Sequence, residues 1–276
     1  MPGLVGGLPL EIDALPADTA DQVMSVTLLR ESAFRYAGRM LLLTFDDYFV
    51  RTWSAVRGLF TAYDARVSFF ISEPDRLDAE EWRMLRDLAA DGHTVGAHGW
   101  RHRWAPDRIA ELGGDGYLAE DVTPCVELLR AQGFAPRSFA YPVSRHCEKS
   151  DQVLGGVFSR LRGGVPVKPA VDLSTLDDLF VPLAEVPSRR VLLGASIDTG
   201  KAFRPAGVGD ASVSAALRRA ADRQECLTLY GHAVADRHEA NHTAPARVEA
   251  ILAQAAELGL PCRGFDELDA GVAGHA

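Results

Sequence analysis

The sequence predicts an α/β protein in which parallel strands are covered by helices and close into a single barrel-like domain. Three observations carry this. From Met40 onward, apolar runs of strand length alternate with patterns of helical period. Polar residues able to do chemistry fall just after those runs rather than inside them. No linker or internal repeat interrupts the alternation, and 276 residues suit one such domain.

Taken in order, Leu41-Leu42-Leu43-Thr44-Phe45 reads as a buried strand, and Val50 to Tyr63 carries apolar residues at near-helical spacing. Val67 to Ile71 is the next strand. Trp82, Leu85, Leu88 and Ala89 mark a helix that Asp91-Gly92 ends, and Thr94 to His98 is a third strand. Leu118 to Ala131 reads as a helix, with Pro124 at a break or a start. Ser138 to Tyr141 is a short strand, and residues 149 to 190 carry no clear period. Val191 to Ile197 is a strand, Lys201 to Gly209 a Gly/Pro loop, Ala211 to Arg223 a helix and Leu227 to Tyr230 a strand. Pro245 to Leu258 is an amphipathic helix with Pro in its first turn and Gly259 past its end. The expected organisation is an N-terminal arm over 1–39, a catalytic domain over 40–268 and a flexible tail over 269–276.

Composition narrows the function. The net charge of −9 supplies no broad positive field, which argues against nucleic acid or an anionic membrane surface as partner. No apolar run approaches the roughly 20 residues of a membrane span. The four cysteines, Cys125, Cys147, Cys226 and Cys262, form no C-x-x-C pair and read as core residues or free thiols. No Lys or Arg precedes Arg30, so the cationic start of a signal peptide is missing and a cytoplasmic location is expected.

The strand ends are the informative places. Asp46 and Asp47 follow the first strand, His98 and His102 the third, Tyr141 and Pro142 a later one, and His232 follows Leu227–Tyr230. In parallel α/β folds these ends share one mouth. The H-x-x-x-H spacing of His98 and His102 sets two imidazoles on one side of a helical turn, or across a tight loop. With one carboxylate they make a two-histidine, one-carboxylate cation site with open positions. Adjacent acids have a use there: one binds the cation, and the other stays ionised to accept a proton from water that the cation polarises.

Thr44-Phe45-Asp46-Asp47 resembles the T-F-D-D signature of the polysaccharide deacetylase family (carbohydrate esterase family four). Gly92-His93 through His98 to His102 resembles its G-H-x-x-G-x-H-x-x-x-H stretch, Phe139-Ala140-Tyr141-Pro142 its third motif, and Leu227 to His232 its closing strand and terminal His. The resemblance covers roughly residues 40 to 268. It implies an irregular (β/α)7 barrel and a divalent cation, usually zinc, on Asp47, His98 and His102. It also implies Asp46 as catalytic base, His232 as general acid and the Val143 N–H as an oxyanion donor. The expected activity is removal of an N-acetyl or similar acyl group from an amino sugar or related glycoside. A non-sugar amidase and a binding homologue without chemistry are the alternatives.

Departures from the pattern matter. Tyr48 stands where the family usually has Gly, and is expected at the substrate with Trp100, Tyr141 and Pro142. Trp104 shares the expected wall with Trp100. The third motif often carries an Arg that pairs with the base, and Phe139 and Ala140 occupy that region here. Asp198 is the candidate to hold the catalytic His. His93 is expected to pack structurally, and His146, His238 and His242 to lie on exposed loops.

Overall fold

The computed structural model describes residues 39–167, 170–200 and 208–269. Most of the expected arm, the tail beyond Asp269 and much of the Gly/Pro loop lie outside the described residues.

The chain runs β1 (Met40–Asp47), α1 (Val50–Ala55), α2 (Arg57–Ala62), β2 (Ser68–Ile71), α3 (Ala79–Ala90), β3 (Thr94–Ala97), α4 (Ala105–Tyr117) and α5 (Thr123–Ala131). It continues through β4 (Ser138–Ala140), α6 (Glu148–Gly155), β5 (Arg160–Gly164), β6 (Phe180–Pro182), β7 (Val191–Ser196), α7 (Asp210–Arg223), β8 (Glu225–Gly231), β9 (Ala233–Val234), β10 (His242–Thr243) and α8 (Pro245–Glu257). Seven parallel strands lie side by side in the order β1-β2-β3-β4-β5-β7-β8, and β8 pairs back onto β1 to close the barrel. The irregularity sits between β3 and β4, whose register holds the single pair Ala97 and Phe139. β6 adds antiparallel to β8.

Alternation along β1 builds two environments. Leu41, Leu43 and Phe45 join the core shared with the helices. Leu42, Thr44 and Asp46 take the opposite face, inside the barrel. Burying each large apolar side chain contributes roughly 1.5–3 kcal/mol, so the outer face secures the strand while the inner face is free to carry Asp46. Asp78 caps α3 by accepting from the Glu80 and Glu81 N–H groups, and the Glu81 side chain answers the Asp78 N–H.

Three local readings needed revision. The helix expected from Val50 to Tyr63 is two short ones meeting at Val56. A helix over Ala105–Tyr117, absent from the expectation, runs through a π-turn at Leu118–Val122 into α5, where Pro124 sits in the first turn. The stretch without a period holds α6, β5 and β6. Cys125, Cys226 and Cys262 are buried free thiols, and Cys147 is exposed. Among the described residues no helix is long and apolar enough to cross a membrane.

Candidate active site

The C-terminal ends of the strands form one mouth, and the backbone there is held in unusual conformations. Asp47, His102, Val143 and Ser144 have φ of 83°, 50°, 56° and 58°. L-residues rarely take such values, and the surrounding structure must impose them. At the end of β1 this turns Asp47 out of the strand's alternation. The Ser72 hydroxyl, 3.3 Å from Asp47 Oδ1, and the Ser72 N–H to the Asp47 carbonyl hold it there.

Asp47, His98 and His102 converge. Asp47 Oδ1 lies 3.7 Å from His98 Nε2 and 3.4 Å from His102 Nε2. One ligand atom from each of the three falls within 4.8 Å of the others. His98 is buried, and its Nδ1 lies 2.7 Å from the Ala140 carbonyl oxygen. A carbonyl only accepts, so Nδ1 carries the hydrogen and Nε2 keeps its lone pair for an ion. Burial also holds His98 well below the usual histidine range, and the neighbouring His102 and Arg162 push the same way. The neutral ring is the one that binds metal. The donor set therefore fits a divalent cation.

The H-x-x-x-H segment is a tight loop and not a helical turn. Gly99 sits at φ 89°, where a Cβ would also fall 2.7 Å from Asp121 Oδ2. Asp121, in the π-turn, takes the Trp100 N–H on its carbonyl and the Arg101 N–H on its carboxylate. The break in helical geometry thus supports the loop that carries His102.

Asp46 is buried on the inner face of β1 and pairs with the fully buried Arg162 of β5. In the parallel register Arg162 stands opposite Ala140, on the strand next to the third motif. Burial raises the Asp46 carboxyl, Arg162 and His232 pull it back, and Asp47 adds to the rise, with a net upward shift. Asp46 Oδ1 and Arg162 Nε are buried without a hydrogen-bond partner among the described residues. A raised carboxylate with a free oxygen has the form of a base.

Across the mouth, His232 Nδ1 lies 2.8 Å from Asp198 Oδ2, and Asp198 Oδ1 accepts from the His232 N–H. Asp198 is fully buried and also takes hydrogen bonds from Ser196 and Thr243. Trp53 Nε1–H holds the His232 carbonyl at 2.9 Å. Burial by itself would lower His232. The Asp198 charge and hydrogen bond, helped by Asp47 and Asp46, outweigh it and raise the imidazolium to about 9.

The expected substrate residues fare unevenly. Tyr141 is wholly buried, with its hydroxyl 2.7 Å from Asp151 and its ring stacked on His146, so its side chain braces α6 instead of lining the cleft. Pro142 is buried beneath the same turn. Val143 is exposed at the mouth. Tyr48 lies under the Arg76 guanidinium and beside Phe49, and Trp100 under that of Arg101. Exposed Trp104 is covered on one side by Arg145. His93 packs edge-on against Phe60 and Phe69 and accepts the Val67 N–H. His146 is not a free loop residue, since Asp151 holds it at 3.1 Å. His242 lies in β10, and His238 packs edge-on to Phe49.

A closed parallel barrel with two imidazoles and a carboxylate at its strand ends defines a class: α/β barrels whose strand ends can hold a cation. Comparison adds a likeness to a particular family. The sequence model of the polysaccharide deacetylase family matches residues 35–155 of this chain. No curated protein sequence matches. Among solved structures, a deacetylase with substrate aligns over 85% of this chain and 92% of its own, at 17% identity and a TM-score of 0.51. A family 4 acetyl xylan esterase from Clostridium thermocellum, in complex with a cobalt ion, aligns over 84% and 91%, at 16% identity and 0.52. A family pseudoenzyme from Bacillus anthracis aligns over 84% and 66%, at 12% and 0.51. The fold thus spans enzymes and a pseudoenzyme, and only the residues at the mouth bear on chemistry.

Proposed function

We propose that this chain removes an N-acetyl or similar small acyl group from an amino-sugar substrate, with zinc as its cation. The observation that carries the reading is the convergence of Asp47, His98 and His102 next to a raised carboxylate and opposite an acid-held imidazolium.

Each residue then has a role. A divalent cation on Asp47, His98 and His102 supplies Lewis acidity at the acyl oxygen and eases deprotonation of water. Asp46 takes the proton of the attacking water, and Arg162 keeps its carboxylate oriented. The Val143 N–H turns toward the negative charge that develops on the acyl oxygen. His232 gives its proton to the departing nitrogen, which otherwise leaves as an amide anion. Asp198 keeps that imidazole charged and aimed.

Asp46→Asn tests the reading. It retains zinc, because Asp46 is outside the ligand set, and loses turnover by roughly 10²- to 10⁴-fold. Acetate release from acetamido sugars, with metal content measured on the same sample, is the assay. Unchanged turnover in that variant removes Asp46 as base. A parent with full zinc and no acetate release from any acetamido sugar removes the deacetylase reading.

A further inference from the structure

We infer that Trp104, Arg145 and Arg103 form an anion subsite beside the cation ligands, so that the sugar this chain deacylates carries a phosphate or carboxylate group; the inference names the substrate class of the deacylation reading above and rests on it.

Three aromatic–arginine stacks stand next to the cation ligands in the chain, and they differ in charge. The Arg76 guanidinium lies 4.0 Å from the centre of the Tyr48 ring, and that of Arg101 lies 4.5 Å from Trp100. Both of these cations are neutralised. Glu73 takes Arg76 at 2.7 Å, and Asp75 takes Arg101 in a two-pronged pair at 2.7 and 3.0 Å. In the third stack the Arg145 guanidinium lies 4.7 Å from the Trp104 ring, which joins the loop after β3 to the turn after β4. Among the described residues Arg145 and its companion Arg103 form no ion pair, and their side chains donate no hydrogen bond. Stacking uses the face of a guanidinium and leaves its in-plane N–H donors free.

The chain carries a net charge of −9, so two unneutralised arginines together are a local reversal of its field. The exposed acids Asp107 and Glu148 stand in the first turns of α4 and α6, where the helix dipole favours them, and neither pairs with Arg103 or Arg145. Position ties the arginines to the reaction. Arg103 follows His102 directly, and Arg145 is two residues past Val143. Trp104 is 39% exposed and Val143 46%, two of the three large apolar side chains that stand exposed among the described residues. An open indole face with two idle cations beside it suits a sugar that bears a negative group. The ring of the sugar packs on the indole, and the anion meets the guanidinium forks. A neutral sugar leaves both arginines unused.

The test is calorimetric binding to the zinc-supplemented full chain, at low and high salt, of three probes: methyl N-acetylglucosaminide, N-acetylglucosamine 1-phosphate and N-acetylglucosaminuronate. One charge-assisted contact contributes roughly tenfold or more to affinity. At least one anionic probe is therefore expected to bind about tenfold or more tighter than the neutral one, by a margin that shrinks as salt rises. Anions also bind zinc, so the variants decide. Arg103→Gln with Arg145→Gln is expected to bring the anionic probes to within about twofold of the neutral one, with zinc content and neutral-probe affinity unchanged. Arg103→Lys with Arg145→Lys keeps the charge and retains a margin. Arg76→Gln, in a neutralised stack, leaves most of the margin in place. A margin for the 1-phosphate identifies phosphate at the anomeric carbon, and one for the uronate identifies a ring carboxylate; either supports the subsite. No margin in the parent, a margin that the Gln pair leaves intact, or one that Arg76→Gln removes equally overturns it, and acetate release from the neutral probe then keeps the deacylation reading standing. A margin that the Gln pair removes, without acetate release from any probe, overturns the deacylation reading and leaves the anion subsite.

Discussion

Strand β5 carries two buried arginines, each paired with an aspartate, at opposite ends of one barrel. Arg160, at the N-terminal end, donates to Asp269 and to the carbonyls of Val186 and Arg189 at 2.7–2.8 Å, with Pro187 and Leu268 further out. Arg162, two residues on, reaches Asp46 and Ser144, and leaves its own Nε and Asp46 Oδ1 without partners among the described residues. The first pair is satisfied on nearly every side, and the second keeps a buried carboxylate oxygen without a hydrogen-bond partner among the described residues. The two ion pairs therefore differ in kind. The closed one is structural, and the open one is the pair on which the proposed chemistry draws. That division agrees with a barrel whose lower face serves stability and whose upper face serves catalysis.

The largest expected effect separates the two. Arg162→Met is expected to lower turnover by at least about 10²-fold. Arg162 lowers the Asp46 pKa, so its loss lets the carboxyl rise further, and the acidic limb of the rate profile moves to higher pH. Arg160→Met is expected to cost roughly 3–5 kcal/mol of stability, while turnover per folded molecule holds. Denaturant titration beside pH–rate profiles checks both. A matched loss of turnover in the two variants erases the distinction.

Asp198→Asn comes next. Without that carboxylate, His232 loses what holds it at about 9, and the basic limb falls to pH 6.5 or below. At pH 8 only about 3% of an imidazole of pKa 6.5 stays charged, so turnover drops roughly 30-fold there. The drop shrinks at pH 6, and a uniform loss at all pH values rules out this account.

How legible this was in the sequence depends on distance along the chain. Asp46-Asp47, His98, His102 and His232 stand beside apolar strands and carry motif spacing, so the mouth was visible. Asp198 was visible as a strand-end acid, though its pairing with His232 awaited the fold. Arg162 was not visible. It lies in a segment where Arg160 and Arg162 break the apolar run expected of a buried strand, and its partner is 116 positions away. Tyr141 misled for the opposite reason, because a strand-end tyrosine reads as a cleft residue until Asp151 is seen to hold its hydroxyl. The helix Ala105–Tyr117 was hidden by Gly113 and Gly114, which dilute its pattern; Gly113 departs from helical geometry.

Histidines divide in the same way, and pH separates them in the metal-free protein. His232 is raised in the fold to about 9, so its contribution is full below pH 6.5 and is lost as pH climbs to 9. Burial lowers His93 to about 4, so its contribution is full above pH 6.5 and is lost as pH falls to 4. Each is on the order of 3 kcal/mol. Unfolding free energy is expected to peak near neutral pH. His232→Gln flattens the alkaline slope, and His93→Gln flattens the acid one. A slope that survives its variant assigns it to other groups.

The smallest effect tests the two arginine sites through their serines. Ser144 accepts from Arg162 at 3.1 Å at the mouth, and Ser159 donates to Asp269 at the base. Ser144→Ala removes the Arg162 contact, and Ser159→Ala removes the contacts to Asp269 and to the Arg137 carbonyl, at about 1 kcal/mol of stability per hydrogen bond. Stability alone does not tell the two roles apart. Turnover does: Ser144→Ala frees the second arm of Arg162, and with it the aim of Asp46, so a several-fold fall is expected. Ser159→Ala leaves Arg160 with its carbonyl partners and turnover unchanged. Equal turnover in both variants means that Arg162 is fixed by Asp46 and its aromatic neighbours alone, and the open pair at the mouth is then as rigid as the closed one below it.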